Sequence, residues 1–101
     1  MELSTSAVPP QGAVEILGVV SGACVLCRSM ATDLSAAVRN AVGGEITTYS
    51  DLLQKAFNRA LQRAEESARA KGAAGIFAIQ AVCPEIAGGA AEVLVIGTAY
   101  R

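Results

Sequence analysis

The stretch from Thr48 to Gly72, TYSDLLQKAFNRALQRAEESARAKG, decides how the rest of the chain is read. Leu52, Leu53, Ala56, Phe57, Ala60, Leu61, Ala64 and Ala68 fall at helical spacing and make one apolar face, small along most of its length. Thr48 can cap the N-terminus with Asp51 three positions on, a variant of the capping box. Gly72 can supply the left-handed residue past the C-terminus. A face built of alanine lets such a helix sit close against a sheet.

Upstream, the period changes. Met30, Leu34, Ala37, Val38, Ala41 and Val42 are spaced as a first helix, with Ser29 as its N-cap, Asp33 near its positive end and Gly43-Gly44 as its stop. Before that, Ala13 to Leu26 reads as a strand region rich in valine, isoleucine and leucine. Gly18 and Ser21-Gly22 break its alternation and suit a bulge, a bend or the close approach of another backbone. Met1 to Ser6 can make a short strand, and Pro9-Pro10 a turn or extended linker. Downstream, Gly75–Val82 and Glu92–Ala99 are strand candidates for an antiparallel pair, separated by Cys83-Pro84-Glu85 and Ala87-Gly88-Gly89. The expected order is ββααββ: one α+β domain over residues 1–101, two layers, with two helices on one face of a mostly antiparallel sheet.

Composition narrows the function. Of 101 residues 52% are hydrophobic, yet four are aromatic, none is Trp and twenty are Ala. A buried Ala removes much less area from water than a Leu or Phe, so the monomer core is thin and an oligomer is expected to complete it. Eight basic and nine acidic residues leave a net charge of −1, which offers no polyelectrolyte surface for nucleic acid. Histidine is absent, which removes the usual general base near neutral pH and the commonest metal ligand. The longest uncharged runs, Ile16–Cys27 and Gly72–Pro84, are too short to span a bilayer, and the N-terminus lacks the pattern of a secretory signal. A cytoplasmic, non-enzymatic protein with reduced thiols is expected.

Gly18-Val19-Val20-Ser21-Gly22, then Asp33, Arg39, Val42-Gly43-Gly44, Tyr49, Leu53, Gly72-Ala73 and Gly97-Thr98-Ala99 resemble the YbjQ-like family of small bacterial proteins, whose domains are labelled heavy-metal-binding. The resemblance implies a dodecin-like subunit assembling into a ring, a pentamer, and attaches no reaction to it. It also implies acidic side chains where this chain has Ala23 and where Gln80-Ala81-Val82-Cys83-Pro84 ends the third strand, an Arg where it has Thr32, and a longer acidic run where it has Ser50-Asp51-Leu52. Asp33 and Arg39 are the charged matches that remain, and a structural ion pair or helix cap is their expected role.

Three thiols are the chemically distinctive groups. Cys24-Val25-Leu26-Cys27 has the CxxC spacing of thiolate metal sites and dithiol redox centres, and Cys83 is the one further sulfur that could complete a set for zinc or copper. In a regular strand residues three apart point to opposite faces, so the pair needs a turn or bulge near Gly22 or the strand end. The plainer reading is small apolar residues filling a strand, with a disulfide as a third alternative. Lys55, Arg59 and Arg63 recur every four residues and are expected to form a solvated face. Tyr49 is expected to pack, or to place its hydroxyl at an interface or pocket rim.

Overall fold

The computed structural model describes residues 1–27, 47–83, 86–87 and 90–101. In chain order these make β1 (Glu2–Leu3), β2 (Ile16–Cys27), α1 (Thr47–Ala70), β3 (Gly75–Val82), β4 (Ile86–Ala87) and β5 (Ala90–Tyr100). The strands form one five-stranded mixed sheet in the order β1-β3-β5-β2, with β4 paired to β5. Only β1 and β3 run parallel; the other pairings are antiparallel.

The expected ββααββ order is therefore corrected. The described residues contain one helix, not two, and a fifth strand enters between β3 and β5. Ile86 and Ala87 pair back onto Ala91 and Ala90. Two residues are too few to carry any periodicity, so the Cys83-Pro84-Glu85 break hid this strand in the sequence. The expected helix from Met30 to Val42 lies outside the described residues, with its Ser29 cap, Asp33, Arg39 and Gly43-Gly44.

Helix α1 starts at Thr47, one residue ahead of the expected cap at Thr48. Its other end follows the sequence closely. Gly72 sits at φ 79°, and the Ala73 amide returns to the Ala68 carbonyl at 3.1 Å, the long bond of a Schellman close. The alanine face is fully buried, with Ala56, Ala60, Ala64 and Ala68 at 0–1% exposure. It packs on Val20 and Cys24 of β2, Ile76 of β3, and Ala91, Val93, Val95 and Ala99 of β5.

The alanines are small because the helix must come very near the sheet. A Cβ built on Gly22 would overlap the Ala60 carbonyl oxygen and stand 2.5 Å from the Ala64 nitrogen, so the helix backbone lies on the β2 backbone itself. This is the close approach that Gly22 suggests in the sequence. Gly18, the other interruption, sits at a register shift against β5 with φ 106°, which is the bulge alternative.

A second bulge, between Phe77 and Gln80, places Ala78 at φ 54°. The extra residue reverses which side chains of β3 face the helix. Ile76 before it lies under α1, whereas beyond it Gln80 and Val82 pair with Ile96 and Leu94 on the sheet's far face. Along β5 the buried positions Ala91, Val93, Val95, Gly97 and Ala99 alternate with the half-buried Glu92, Leu94, Ile96 and Thr98. One face of the sheet is thus the core, and the other is only partly covered among the described residues.

Candidate functional site

Cys24 and Cys83 do not converge, and the side chain of Cys27 lies outside the described residues. Cys24 is buried at 3% exposure, under the helix and opposite Val93. The β2–β5 ladder runs without a register shift from Gly18 to Cys27, which pairs with Ala90. No turn or bulge near Gly22 draws positions 24 and 27 together, and three residues of regular strand separate their α-carbons by about 10 Å. Cys83 is exposed just past the end of β3. It follows Val82, which pairs with Leu94, so two strand spacings, again about 10 Å, lie between Cys83 and Cys24.

A zinc ion holds thiolates at about 2.3 Å each, so two on one metal lie at most about 4.6 Å apart. Among the described residues no three Cys, Asp or Glu side chains stand close enough to hold an ion together. Among the described residues of one chain, no soft-metal donor set is thus assembled. Cys24 behaves as the small apolar filler of the plainer reading, and Cys24 and Cys83 are both free thiols.

Cys83 borders an apolar groove of about 260 Å³, formed with Leu53 and Phe57 of α1 and Val82 and Val93 of the sheet. The groove exists because α1 packs over β2 and β5 and leaves the β3 side of its apolar face half-covered, with Leu53, Phe57 and Leu61 all partly exposed.

Lys55 and Arg59 are exposed, as a solvated face requires. Arg63 is exposed too, but its Nη1 donates to the Ala23 carbonyl at 2.6 Å and so reaches across to β2. Nothing in the four-residue spacing distinguishes Arg63 from Arg59; the difference is that Gly22 lets β2 lie beneath it.

The side chain of Tyr49 lies outside the described residues; Tyr100 is buried. At 5% exposure it meets Phe77 with ring centroids 6.1 Å apart and planes tilted by 56°. Its hydroxyl donates to the Glu2 carboxylate, and Gly75 leaves the space for it: a Cβ there would stand 2.5 Å from that oxygen. Burial first, then the negative charge of Glu2 and this hydrogen bond, raise the Tyr100 pKa above 10.0. The unfolded chain ionises at a lower pH than the folded one. The resulting contribution is complete below pH 10 and is lost as pH rises through the folded value. Tyr100→Phe is expected to make the midpoint of urea unfolding fall less steeply between pH 9.5 and 11 than in the parent chain; identical slopes would refute it.

The far face of the sheet carries the other distinctive feature. Val19, Val25 and Val82 are 70%, 58% and 44% exposed, beside the half-buried Leu94 and Ile96. Ala23, Gln80 and Val82, where the resemblance implies acids, share this face: Ala23 and Val82 both pair with Leu94, and Gln80 pairs with Ile96. Sheet topology gathers them from two distant segments, and in this chain the three are uncharged, although Glu92, opposite Val25, shares their face.

Comparison with known proteins follows the same outline. The YbjQ family model, described as "Putative heavy-metal-binding", matches residues 1–101. A UPF0145 protein of Clostridium perfringens is 35% identical over 97 residues, covering 96% of this chain and 92% of its own. One from Thermus thermophilus is 40% identical over 95 residues, covering 94% and 83%. Another, from Halobacterium salinarum, is 39% identical over 97 residues, covering 96% and 93%. Archaeal relatives of this kind correct the expectation of an exclusively bacterial family. A crystal structure of a protein of unknown function from Pediococcus pentosaceus, of the DUF74 family, shares the fold with a TM-score of 0.71 at 18% identity, covering 99% of this chain and 95% of that one.

Proposed function

This chain belongs to the YbjQ-like, or UPF0145, family, and from that premise we propose that it is a non-enzymatic binding or scaffold protein that acts in the cytoplasm as a homo-oligomeric ring of five. The far face of the sheet carries the reading. There Val19, Val25 and Val82 stand exposed around the half-buried Leu94 and Ile96, with Ser21, Gln80, Glu92 and Thr98 as polar neighbours on the same face. Six of the fourteen buried hydrophobic residues described are alanines, with Ile76 and Val95 as the largest fully buried side chains. A thin core on one face and a valine patch on the other are both accounted for when copies bury the patch against one another. The lack of histidine throughout the chain supports a role other than acid–base catalysis. No described helix is long and apolar enough to cross a membrane. Light scattering at micromolar concentration is expected to give about five times the 10.3 kDa chain mass; a stable monomer would remove the reading.

The family's description favours a second reading, heavy-metal binding, for which Cys24, Cys27 and Cys83 are this chain's soft donors. The spacing of these positions argues against it within one chain. The Cys24→Ser, Cys27→Ser double variant is expected to retain as much zinc or copper after dialysis as the parent. Metal held by the parent and lost from the variant would restore the thiol site.

A further inference from the structure

We propose that residues 1–6 form a strap that opens on its own, leaving β3 while the rest of the sheet stays folded, and that Glu2 and Tyr100 are its clasp. Strand β1 pairs with β3 over two residues, Glu2 with Gly75 and Leu3 with Ile76, and lies beside no other regular element among the described residues. The Glu2 amide donates to the Ala74 carbonyl at 3.3 Å and the Ser4 amide to Ile76 at 3.0 Å, while the Ala78 and Ile79 amides return to Ser6 at 2.8 Å and Ser4 at 3.1 Å. Met1, Glu2, Thr5 and Ser6 are exposed, and Leu3 and Ser4 are half-buried. These bonds therefore lie close to water, where local opening is easiest.

Packing beneath the strap is open as well. A hollow of about 430 Å³ lies between it and α1, with Leu3, Ser4 and Thr5 on one side and Phe57, Leu61 and Ile79 on the other. Across that gap the strap lacks the dense contacts that hold α1 to β2 and β5. The connector that follows can act as a hinge. Residues 7–12 include Pro9, Pro10 and Gly12 at φ 97°, and bury no side chain. Beyond them the chain is fixed again: the Val14 and Glu15 amides donate to the Arg101 carbonyl at 2.6 and 2.8 Å, and the Arg101 guanidinium pairs with the Glu15 carboxylate.

One side-chain link holds this seam. Glu2, Gly75 and Tyr100 stand in a row across β1, β3 and β5. Gly75 has no side chain to fill the middle of the row, so the Tyr100 hydroxyl reaches over it to the Glu2 carboxylate. Tyr100 is itself anchored against Phe77, which ties the strap to the part of the sheet that stays folded. Opening uncovers the edge of β3 from Ile76 to Ile79 and the apolar walls of the hollow, so the clasp sets how much of that surface the protein shows.

Hydrogen exchange followed by NMR on the intact chain tests the strap. The Ser4, Ala78 and Ile79 amides are expected to exchange at least tenfold faster than those of Val95 and Ile96 in β5, which is flanked on both sides. Val20→Ala, a change in the core away from the strap, is expected to speed Val95 and Ile96 at least fivefold and leave the strap amides within twofold of the parent. Tyr100→Phe and Glu2→Ala are each expected to speed the strap amides at least fivefold, and the double variant to be no faster than the faster single one, because both remove the same hydrogen bond. Strap amides that exchange with Val95 and Ile96, or follow them in Val20→Ala, would overturn the separate opening. Strap amides unmoved by Tyr100→Phe and Glu2→Ala would overturn the clasp. Should a variant fail to fold, the parent alone decides in a series of low urea concentrations: exchange of the strap amides is expected to be nearly flat where that of Val95 and Ile96 rises steeply, and equal slopes would overturn the proposal.

Discussion

Gly22→Ala is expected to cost about 3 kcal/mol or more, lowering the melting temperature by roughly 12–24 °C, an unusually large effect for a single methyl group. The added carbon would meet backbone rather than a side chain that could swing aside. The Ala60 carbonyl and the Ala64 nitrogen belong to α1 itself, and the Arg63 Cβ stands 2.9 Å away. Relief requires the helix to lift from β2, which would loosen the contacts of Ala56, Ala60 and Ala64 with Val20 and Cys24 together. Gly18→Ala is the control. It has open space around its Cβ position but sits at φ 106°, so its cost is conformational, about 1–2 kcal/mol. The two sites lie about 13 Å apart along the strand, so their costs should add within about 0.5 kcal/mol. Urea unfolding at one fixed protein concentration would measure all three variants. A Gly22→Ala protein within 0.5 kcal/mol of the parent would show that the helix does not rest on the strand.

The same contact explains what could be read in advance. The apolar face of α1, the left-handed close at Gly72 and the span of β3 follow from local patterns that need no partner to be visible. The small size of the alanines and the break at Gly22 are also visible, but which helix turn meets which strand residue is a tertiary fact. Strand β4 escaped because two residues carry no period, and its pairing depends on the position of β5. The candidate site was harder still. CxxC reads as a chelating pair because the spacing is right for a loop, whereas here the ladder stays regular through Cys27. The valine patch is assembled from β2 and β3, more than fifty residues apart, with a bulge at Ala78 deciding that Val82 joins it. No one-dimensional pattern encodes that side choice.

Ile76→Ala is expected to destabilise the protein by about 2–5 kcal/mol, a large share of the roughly 5–15 kcal/mol that holds a domain together. In a core of alanines few side chains supply bulk, and Ile76 and Val95 are the largest that are fully buried. Ile76 also fills a particular hole: its Cγ2 occupies the space where a Cβ on Gly97 would stand. Truncation would therefore leave a void floored by β5 backbone, which cannot collapse to close it. The reciprocal substitution makes the argument sharper. Gly97→Ala alone should be destabilising, because its methyl meets Ile76 Cγ2 and lies 3.2 Å from Ile79 Cγ1. In the Ile76→Ala background the same methyl enters vacated space. The double variant is expected to be more stable than the sum of the two single costs by at least about 1 kcal/mol, a coupling of the size that residues in direct contact show. Additive costs in a urea double-mutant cycle would mean that Ile76 does not sit over Gly97, and the packing of β3 against β5 beneath the helix would have to be redrawn.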